Sequence, residues 1–487
     1  MNFRAMLESR GVTLGGEIRA GTSTFATMVY IIIVQPAIMS ACGMPAGAVF
    51  TSTIICTVLA TVAMGLFAKL PFALSTAMGT NAIFAYTIVN PGYATWQEAL
   101  GMIFVSGTVF ILISVPVFYP LKAFGVSEKL YGFSVREKII DYIPQSIKDG
   151  LGPAIGLFLM MLGLGTSGMN LAGLFDGSLG FTDLKNPPAL IAFICLLITL
   201  FLYFYQRRVK DKTVKVTGAV LIGIIMTTVA MIASGNAPLP SGVVSAPPSI
   251  TPILFQFDII GALRPQNWIY IFIFFLGDFF STAGTLIACG TKAGLYDPVT
   301  KKMPGTGRAF VVDACATVGG ATLGCSTITT FVESAAGVED GGRTGLTAIS
   351  TAGWFTLALF FSPIFLAIPA AASGVALVVV GFSMCLQIFD IDKVSKGVTP
   401  AEDSPEHAPA VYTKLEKAAV IAVIAMTAIA NNFSVALCFA LIVFGFNQIV
   451  AYFVDKSLHV EPARIIVPSV MTFVLILLAV LKFAVTV

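Results

Sequence analysis

Apolar stretches long enough to cross a bilayer recur along the whole chain, and this recurrence constrains the fold more than any other feature. Ala189–Tyr203, Val216–Ser234, Ile269–Cys289, Leu346–Ala370 and Ile465–Leu481 each approach or exceed the roughly 20 residues that a helix needs to span the hydrocarbon layer. A soluble surface of this size needs charge, yet only 11% of the 487 residues are charged, against about 25% in soluble domains. Lipid as the solvent accounts for the deficit. The expected fold is therefore an all-α polytopic membrane protein. The eight cysteines lie mostly inside apolar segments and show no paired metal spacing, so neither a disulfide framework nor a metal site is expected. The first 19 residues carry charge without an apolar core and cleavage site, so no signal peptide is expected.

Hydropathy places spans near 18–42, 46–68, 72–90, 96–120, 144–166, 188–206 and 214–234. A second set follows near 267–289, 308–323, 325–340, 345–364, 366–388, 415–453 and 464–486. The stretch 415–453 is interrupted by Asn431-Asn432 and reads as one broken helix or two, giving fourteen or fifteen spans. Lysine and arginine cluster after even-numbered spans: Lys122 to Lys148, Arg207 to Lys215, Lys292 to Arg308, and Lys393 to Lys417. The positive-inside rule then puts the N-terminus and these loops in the cytoplasm.

The chain repeats itself faintly. Ile143-Pro144 is followed twelve residues after the proline by Gly156, and Ile368-Pro369 at the same distance by Gly381. Ser75-Thr76 before Asn81 is echoed by Ser326-Thr327 before Glu333. These echoes fall at the fifth and twelfth spans and at the third and tenth, the placement of two seven-span repeats. An odd number of spans per repeat inverts the second copy, and inverted repeats place a transport site at their interface.

The third and tenth segments are too short and too rich in Ser and Thr for full helices. Each reads as a short β-like strand, Phe72–Thr76 or Cys325–Phe331, entering a half-helix, Asn81–Val89 or Glu333–Val338. Irregular backbone at membrane depth is tolerated where it is buried in protein or lines a cavity. A glycine-rich helix interface is the plainer alternative. Two acids lie deep in this region. Asp278 interrupts the apolar run Tyr270–Gly277, and Glu333 sits where the tenth segment breaks. Intramembrane acids mark substrate or proton pathways more often than structural bonds. Each can accept from substrate N–H groups or hold a proton. Asp313, flanked by Gly307-Arg308, is a third acid that reads as a helix-start or salt-bridge residue as readily as a functional one.

These residues carry a family resemblance. Ala77-Met78-Gly79-Thr80-Asn81-Ala82-Ile83-Phe84-Ala85-Tyr86, the run Gly324 to Gly337, and Gly341-Gly342-Arg343-Thr344-Gly345-Leu346-Thr347 resemble the AzgA-like purine permeases of the nucleobase:cation symporter superfamily. Glu17-Ile18-Arg19-Ala20-Gly21-Thr22 and Gly156-Leu157-Phe158 add support. The resemblance implies fourteen spans arranged as a core domain, 1–120 and 267–364, and a gate domain, 121–266 and 365–487. It implies import of adenine, guanine or hypoxanthine with protons, across the cell membrane, without a cofactor or a nucleic-acid partner. A homodimer is compatible with it. It also implies that Asn81, Asp278 and Glu333 face the base, with Phe84 and Phe279 as stacking partners, although packing is the plainer role for both rings. Two positions depart from the family pattern. Ser281 stands where a second acid is usual, and Gln35 where asparagine is common.

Rival readings are a carrier of xanthine, uracil or an anion, and a passive channel. An enzyme is the weakest, because both histidines, His407 and His459, fall outside the membrane core. The orientation is open to test. Single cysteines at Lys212 and Lys301, in a background without native cysteines, are expected to react only with membrane-permeant reagents in intact cells. Labelling of either by an impermeant reagent would overturn it.

Overall fold

The computed structural model describes residues 10–114, 145–169, 186–209, 212–215, 218–295 and 303–386. The expected spans at 415–453 and 464–486, Pro144, Lys301 and the basic loop from Lys393 to Lys417 lie outside these residues.

The chain is mostly helical. Helices α1 (Leu14–Met28) and α2 (Ile31–Ser40, containing Pro36) form one span. Next come α3 (Ala46–Ala63), ending in a π-helical turn at Met64–Ala68, strand β1 (Leu74–Thr76) and α4 (Met78–Ala82), which continues as a π-helical stretch, Ile83–Val89. Then come α5 (Trp96–Ser114), α6 (Gln145–Thr166) and α7 (Pro187–Phe204). A hairpin, β2 (Gln206–Val209) with β3 (Lys212–Lys215), leads to α8 (Ala219–Ala233) and the short α9 (Ile259–Ala262). The second half holds α10 (Trp268–Lys292), α11 (Thr306–Thr322), β4 (Ile328–Thr330), α12 (Ser334–Glu339), α13 (Gly345–Ala358), α14 (Ser362–Leu366) and α15 (Ala370–Cys385). Among the described residues, six helical segments are long and apolar enough to cross a membrane: Leu14–Ser40, Ala46–Ala68, Trp96–Ser114, Pro187–Phe204, Pro265–Lys292 and Gly345–Leu366. Four shorter helices are also apolar. The sequence pattern carried spans six and seven to 206 and from 214. Instead the helices stop at Phe204 and resume at Ala219, and the basic, β-branched stretch between them pairs as the hairpin.

The contacts divide the chain into two compact units. One comprises 1–115, 161–263 and 274–379, and the other the remainder. Compactness groups residues that touch, whereas core and gate are defined by what moves together. In the first unit α1 packs along α13, and α5 along α11. Small residues permit close approach at the sequence echoes. In the second unit a Cβ on Gly156 would lie 2.5 Å from the Gly381 carbonyl oxygen, and one on Gly381 would lie 2.4 Å from that of Gly156. The two glycines that head the sequence repeat therefore meet backbone to backbone, as small residues do in membrane helix pairs.

Glu17 joins the two ends of the first unit. Its carboxylate is buried and accepts from the backbone N–H groups of Arg343 (3.0 Å), Thr344 (3.3 Å) and Thr347 (3.1 Å), and from the Thr347 hydroxyl (2.5 Å). A helix leaves its first N–H groups without partners, and its positive end favours an anion. Glu17 supplies that anion to α13 from a segment more than 320 residues earlier. Around it, the Arg343 guanidinium donates to the carbonyls of Val338 (2.6 Å) and Gly342 (2.8 Å), and Arg10 donates to the Arg343 carbonyl. The motifs at 17–22 and 341–347 are thus two halves of one structure. Glu17→Ala strands several buried donors, each worth about 1–3 kcal/mol. It is expected to lower the melting temperature and the folded yield in detergent. A variant as stable as the parent would show that the latch carries no stability.

Candidate functional site

Strands β1 and β4 pair antiparallel, with Leu74 opposite Thr330, Ser75 opposite Thr329 and Thr76 opposite Ile328. Both crossing segments begin at a left-handed residue. Gly324, at φ +80°, ends α11 in a Schellman motif, with Cys325 N–H reaching the Gly320 carbonyl (2.7 Å) and Gly324 N–H that of Ala321 (3.3 Å). Lys69, at φ +59°, plays the corresponding part before β1. β-Branched and hydroxylic residues then keep the chain extended, as the sequence pattern led one to expect.

Ladder bonds at Ala77 N–H to Thr327 O (2.9 Å) and Phe331 N–H to Ala73 O (2.9 Å) fix which residues face across the pair. By alternation, Leu74 and Ile328 turn their backbone groups outward. A single threonine hydroxyl meets each. Thr61 on α3 accepts from Leu74 N–H (3.0 Å) and lies 3.1 Å from its carbonyl oxygen. Thr317 on α11 accepts from Ile328 N–H (3.1 Å) and lies 3.0 Å from its carbonyl oxygen.

The candidate residues cluster about this pair. Asn81, on the first turns after β1, donates to the Gln35 carbonyl oxygen and accepts from the Ser326 hydroxyl, while the Thr80 and Thr327 hydroxyls share a bond. Asp278, fully buried on α10, accepts from the Thr317 hydroxyl (2.7 Å) through Oδ2. One turn on, Thr282 donates to Asp313 Oδ2 (2.6 Å), and the Thr330 hydroxyl lies 3.2 Å from Asp313 Oδ1. Glu333, half-buried at the start of α12, accepts from the Tyr30 hydroxyl (2.6 Å), and its side chain makes no cap bond to the helix. Ser281 is half-buried, its hydroxyl 3.5 Å from that of Thr329.

Phe84 is fully buried on the π-helical stretch after α4. Phe279 lies in an aromatic cluster, with ring centroids 5.6 Å from Phe110, 5.7 Å from Phe275, 5.5 Å from Phe280 and 5.8 Å from Phe310. This packing holds α10 against α5 and α11.

Several buried side-chain polar atoms have no hydrogen-bond partner among the described residues, and around the strand pair they include the acceptor Asp278 Oδ1, the donor Gln35 Nε2 and the Thr76 hydroxyl. Burying such groups unpaired costs about 1–3 kcal/mol each, which is tolerable where a ligand supplies the partner. Asp313 takes neither structural role that its flank allows: it does not start a helix and forms no salt bridge among the described residues, but lies buried mid-helix, beside the strand that Asp278 reaches through Thr317. Tyr30 and Thr317 were missed as site residues, because a hydroxyl gains its role only through partners distant in sequence. The departure at Gln35 was the one signal that pointed to α2. Among the described residues, no group of three or more His, Cys, Asp or Glu side chains is placed to hold a metal ion.

The chain is 39% identical to the "Putative permease MJ0326" of Methanocaldococcus jannaschii, over 79% of this chain and 82% of that protein. It is 35% identical to the adenine permease AdeQ of Escherichia coli, covering 78% and 79% of the two chains. It is 34% identical to the guanine/hypoxanthine permease PbuG of Bacillus subtilis, covering 77% and 81%. Among solved structures, the transmembrane domain of the cyanobacterial bicarbonate transporter BicA matches 88% of this chain and 97% of that one, with a TM-score of 0.55 at 15% identity. SLC26A9 matches with a TM-score of 0.56 at 11% identity, over 89% of this chain and 65% of that one. At these identities the two structures speak for the fold alone. Residues 15–395 match the family model Xan_ur_permease, described as "Permease family". The chain, an integral membrane protein and not an enzyme, therefore belongs to this permease family, the nucleobase–ascorbate transporters.

Proposed function

We propose that this permease imports purine nucleobases with protons across the cell membrane, with its N-terminus in the cytoplasm. A core domain of 1–120 and 267–364 moves against a gate domain of 121–266 and 365–487, in two inverted seven-span repeats. The backbone contact of Gly156 with Gly381 and the matching threonine clamps on β1 and β4 support the repeat. The identity to adenine and guanine/hypoxanthine permeases supports the substrate class.

The observation that carries the reading is the set of polar groups at the strand pair. Purine edges offer ring N–H donors beside ring nitrogen or carbonyl acceptors. Glu333, half-buried, supplies acceptors. Asp278 Oδ1 and Gln35 Nε2 supply one buried acceptor and one buried donor that no described residue takes up. Asn81, Ser281 and Phe84 complete the surroundings of the base, and Phe279 backs Asp278 from the aromatic cluster. The same set argues against an anion as cargo. The bonds at Asn81, Asp278, Asp313 and Glu333 run to hydroxyl, amide and backbone groups, not to lysine or arginine. A buried carboxyl without a cation needs a hydrogen-bond partner or a proton. Asp278 and Glu333 therefore take both base recognition and proton exchange, with Ser281 leaving this chain one acid short of the family pattern.

Uptake of radiolabelled adenine, guanine and hypoxanthine, with unlabelled bases as competitors, tests this. Glu333→Gln and Asp278→Asn each place an amide donor against a substrate N–H and remove a titratable group. Each is expected to cut uptake about 10-fold or more at normal surface abundance, the scale of a hydrogen bond to a charged group. Ser281→Ala removes a neutral bond and is expected to cost about 2- to 10-fold. Parental rates in both acid variants would show that the site is misassigned. Accumulation that survives a protonophore would exclude proton coupling and favour sodium or a passive route.

A further inference from the structure

We infer that Thr317 is a positioning residue that ties the protonation state of Asp278 to the backbone of β4. The inference rests on the reading of Asp278 as a proton-exchanging carboxyl.

The Thr317 hydroxyl has one hydrogen and two acceptor sites. Three groups lie within bonding distance of it: Asp278 Oδ2 at 2.7 Å, the Ile328 carbonyl oxygen at 3.0 Å and the Ile328 N–H at 3.1 Å. Ile328 N–H occupies one acceptor site in either state. With Asp278 ionised, the single hydroxyl hydrogen goes to Oδ2, and the Ile328 carbonyl receives nothing from Thr317. With a proton on Oδ2, Asp278 becomes the donor. Its O–H then points at the second acceptor site of Thr317, and the Thr317 hydrogen turns to the Ile328 carbonyl. One proton arriving at Asp278 thus adds a hydrogen bond to β4, with no change in covalent structure elsewhere.

Thr61 provides an internal reference. It clamps Leu74 of β1 through the same two backbone groups, at 3.0 and 3.1 Å, and none of its hydrogen bonds runs to a carboxyl. The two clamps differ in the third partner alone. A threonine whose task is to satisfy a strand edge needs two neighbours, and Thr317 has a third that can change charge.

Other titratable or charged groups on α10 and its surroundings are differently engaged. Asp313 on α11 is held by Thr282 and Thr330, and Glu333 by Tyr30. Lys292, at the end of α10, pairs with Glu339 at 3.0 Å. Cys289 on α10 reaches the Val332 carbonyl, Glu98 on α5 accepts from Thr95, and Arg308 on α11 reaches the Phe67 carbonyl. Strands β1 and β4 and helix α4 contribute hydroxyls and Asn81 but no titratable side chain. Asp313 is the neighbour whose charge bears most directly on Asp278, and it stays in place in every variant below.

The test uses the purified full-length protein in lipid nanodiscs. The carboxylic-acid C=O infrared band that disappears in Asp278→Asn identifies Asp278, and its pH titration is followed. Thr317→Val is expected to displace the midpoint by about one pH unit or more, the scale of a lost hydrogen bond to a charged group. Thr317→Ser is expected to restore the parental midpoint. Thr61→Val is expected to loosen the strand pair without moving it. A parental midpoint in Thr317→Val, or an equal displacement by Thr61→Val, would overturn the inference, as would a D278N-sensitive band that never titrates. Should Thr317→Val fail to fold, amide exchange over 326–331 in the parent serves instead. It is expected to change with the Asp278 titration and to lose that pH dependence in Asp278→Asn, and unchanged exchange would overturn the coupling. Parental uptake that ignores a protonophore while the Thr317 effect persists would defeat the symport reading and leave this one standing.

Discussion

A two-stranded ladder has two outer edges, and inside a membrane protein neither edge can turn to water. This constraint organises the middle of the permease. Strands β1 and β4 each span three residues, so the ladder spends few of its backbone groups on the partner strand. The outward groups at Leu74 and Ile328 would be orphaned without Thr61 and Thr317. Two short strands exist at this depth because two neighbouring helices each place one hydroxyl against them. A helix running through both segments would satisfy its own backbone, but would not present two breaks side by side. The hydrogen-bonding capacity released at the breaks is what a polar ligand can use.

Holding the breaks in register takes help from further away. α12 follows β4 after a short turn, and α13 begins six residues after α12 ends. Glu17 fixes the start of α13, while Thr27 and Tyr30, on the following turns of the N-terminal span, reach the backbone and side chain of Glu333. One N-terminal span therefore anchors both ends of the α12 region. A carboxylate serving as helix cap and a carboxylate facing the site are held by the same element. The conservative exchange of either acid is consequently expected to have different effects, structural at Glu17 and functional at Glu333.

Much of this was legible in the residues. The apolar runs marked helices at 46–68, 144–166 and 345–364 to within two residues, because a bilayer sets helix length and leaves little freedom. The strands at 74–76 and 328–330 were visible as Ser- and Thr-rich, β-branched breaks in otherwise apolar segments. Asp278 and Glu333 stood out because an acid in an apolar run needs a reason, and Asn81 entered through the family resemblance. Less was legible where the reason lies across the fold. Asp313 stayed open between a structural and a functional role because Gly307-Arg308 precede it, and its partners, Thr282 and Thr330, are 31 and 17 positions away. Thr317 is one of many threonines, and nothing local distinguishes it from Thr322, which bonds to its own helix. The hairpin at 206–215 was read as a basic loop with only its ends given to the adjoining spans, because charge marked the loop and nothing local marked the pairing of its two halves.

The choice of partners around the acids separates this site from a set of structural salt bridges. Lysine and arginine have donors and no acceptor, so a cation beside a carboxylate fixes one charge state. Hydroxyls donate and accept. Asp278 with Thr317, Asp313 with Thr282 and Thr330, and Glu333 with Tyr30 can each keep their contacts whether the carboxyl carries a proton or not. Only the direction of the hydrogen bond must reverse. A site built this way can gain and lose protons without dismantling its own framework, which is what proton symport asks of buried acids. The three are not equivalent, however. Glu333 is half-buried, and its partner Tyr30 belongs to the N-terminal span. Asp278 and Asp313 are fully enclosed, and their hydroxyl partners either belong to β4 or bond to it, except for Thr282 on α10. Enclosure and a tie to the strand suit a group that reports its charge to the backbone. Partial exposure suits a group that a ligand can reach first.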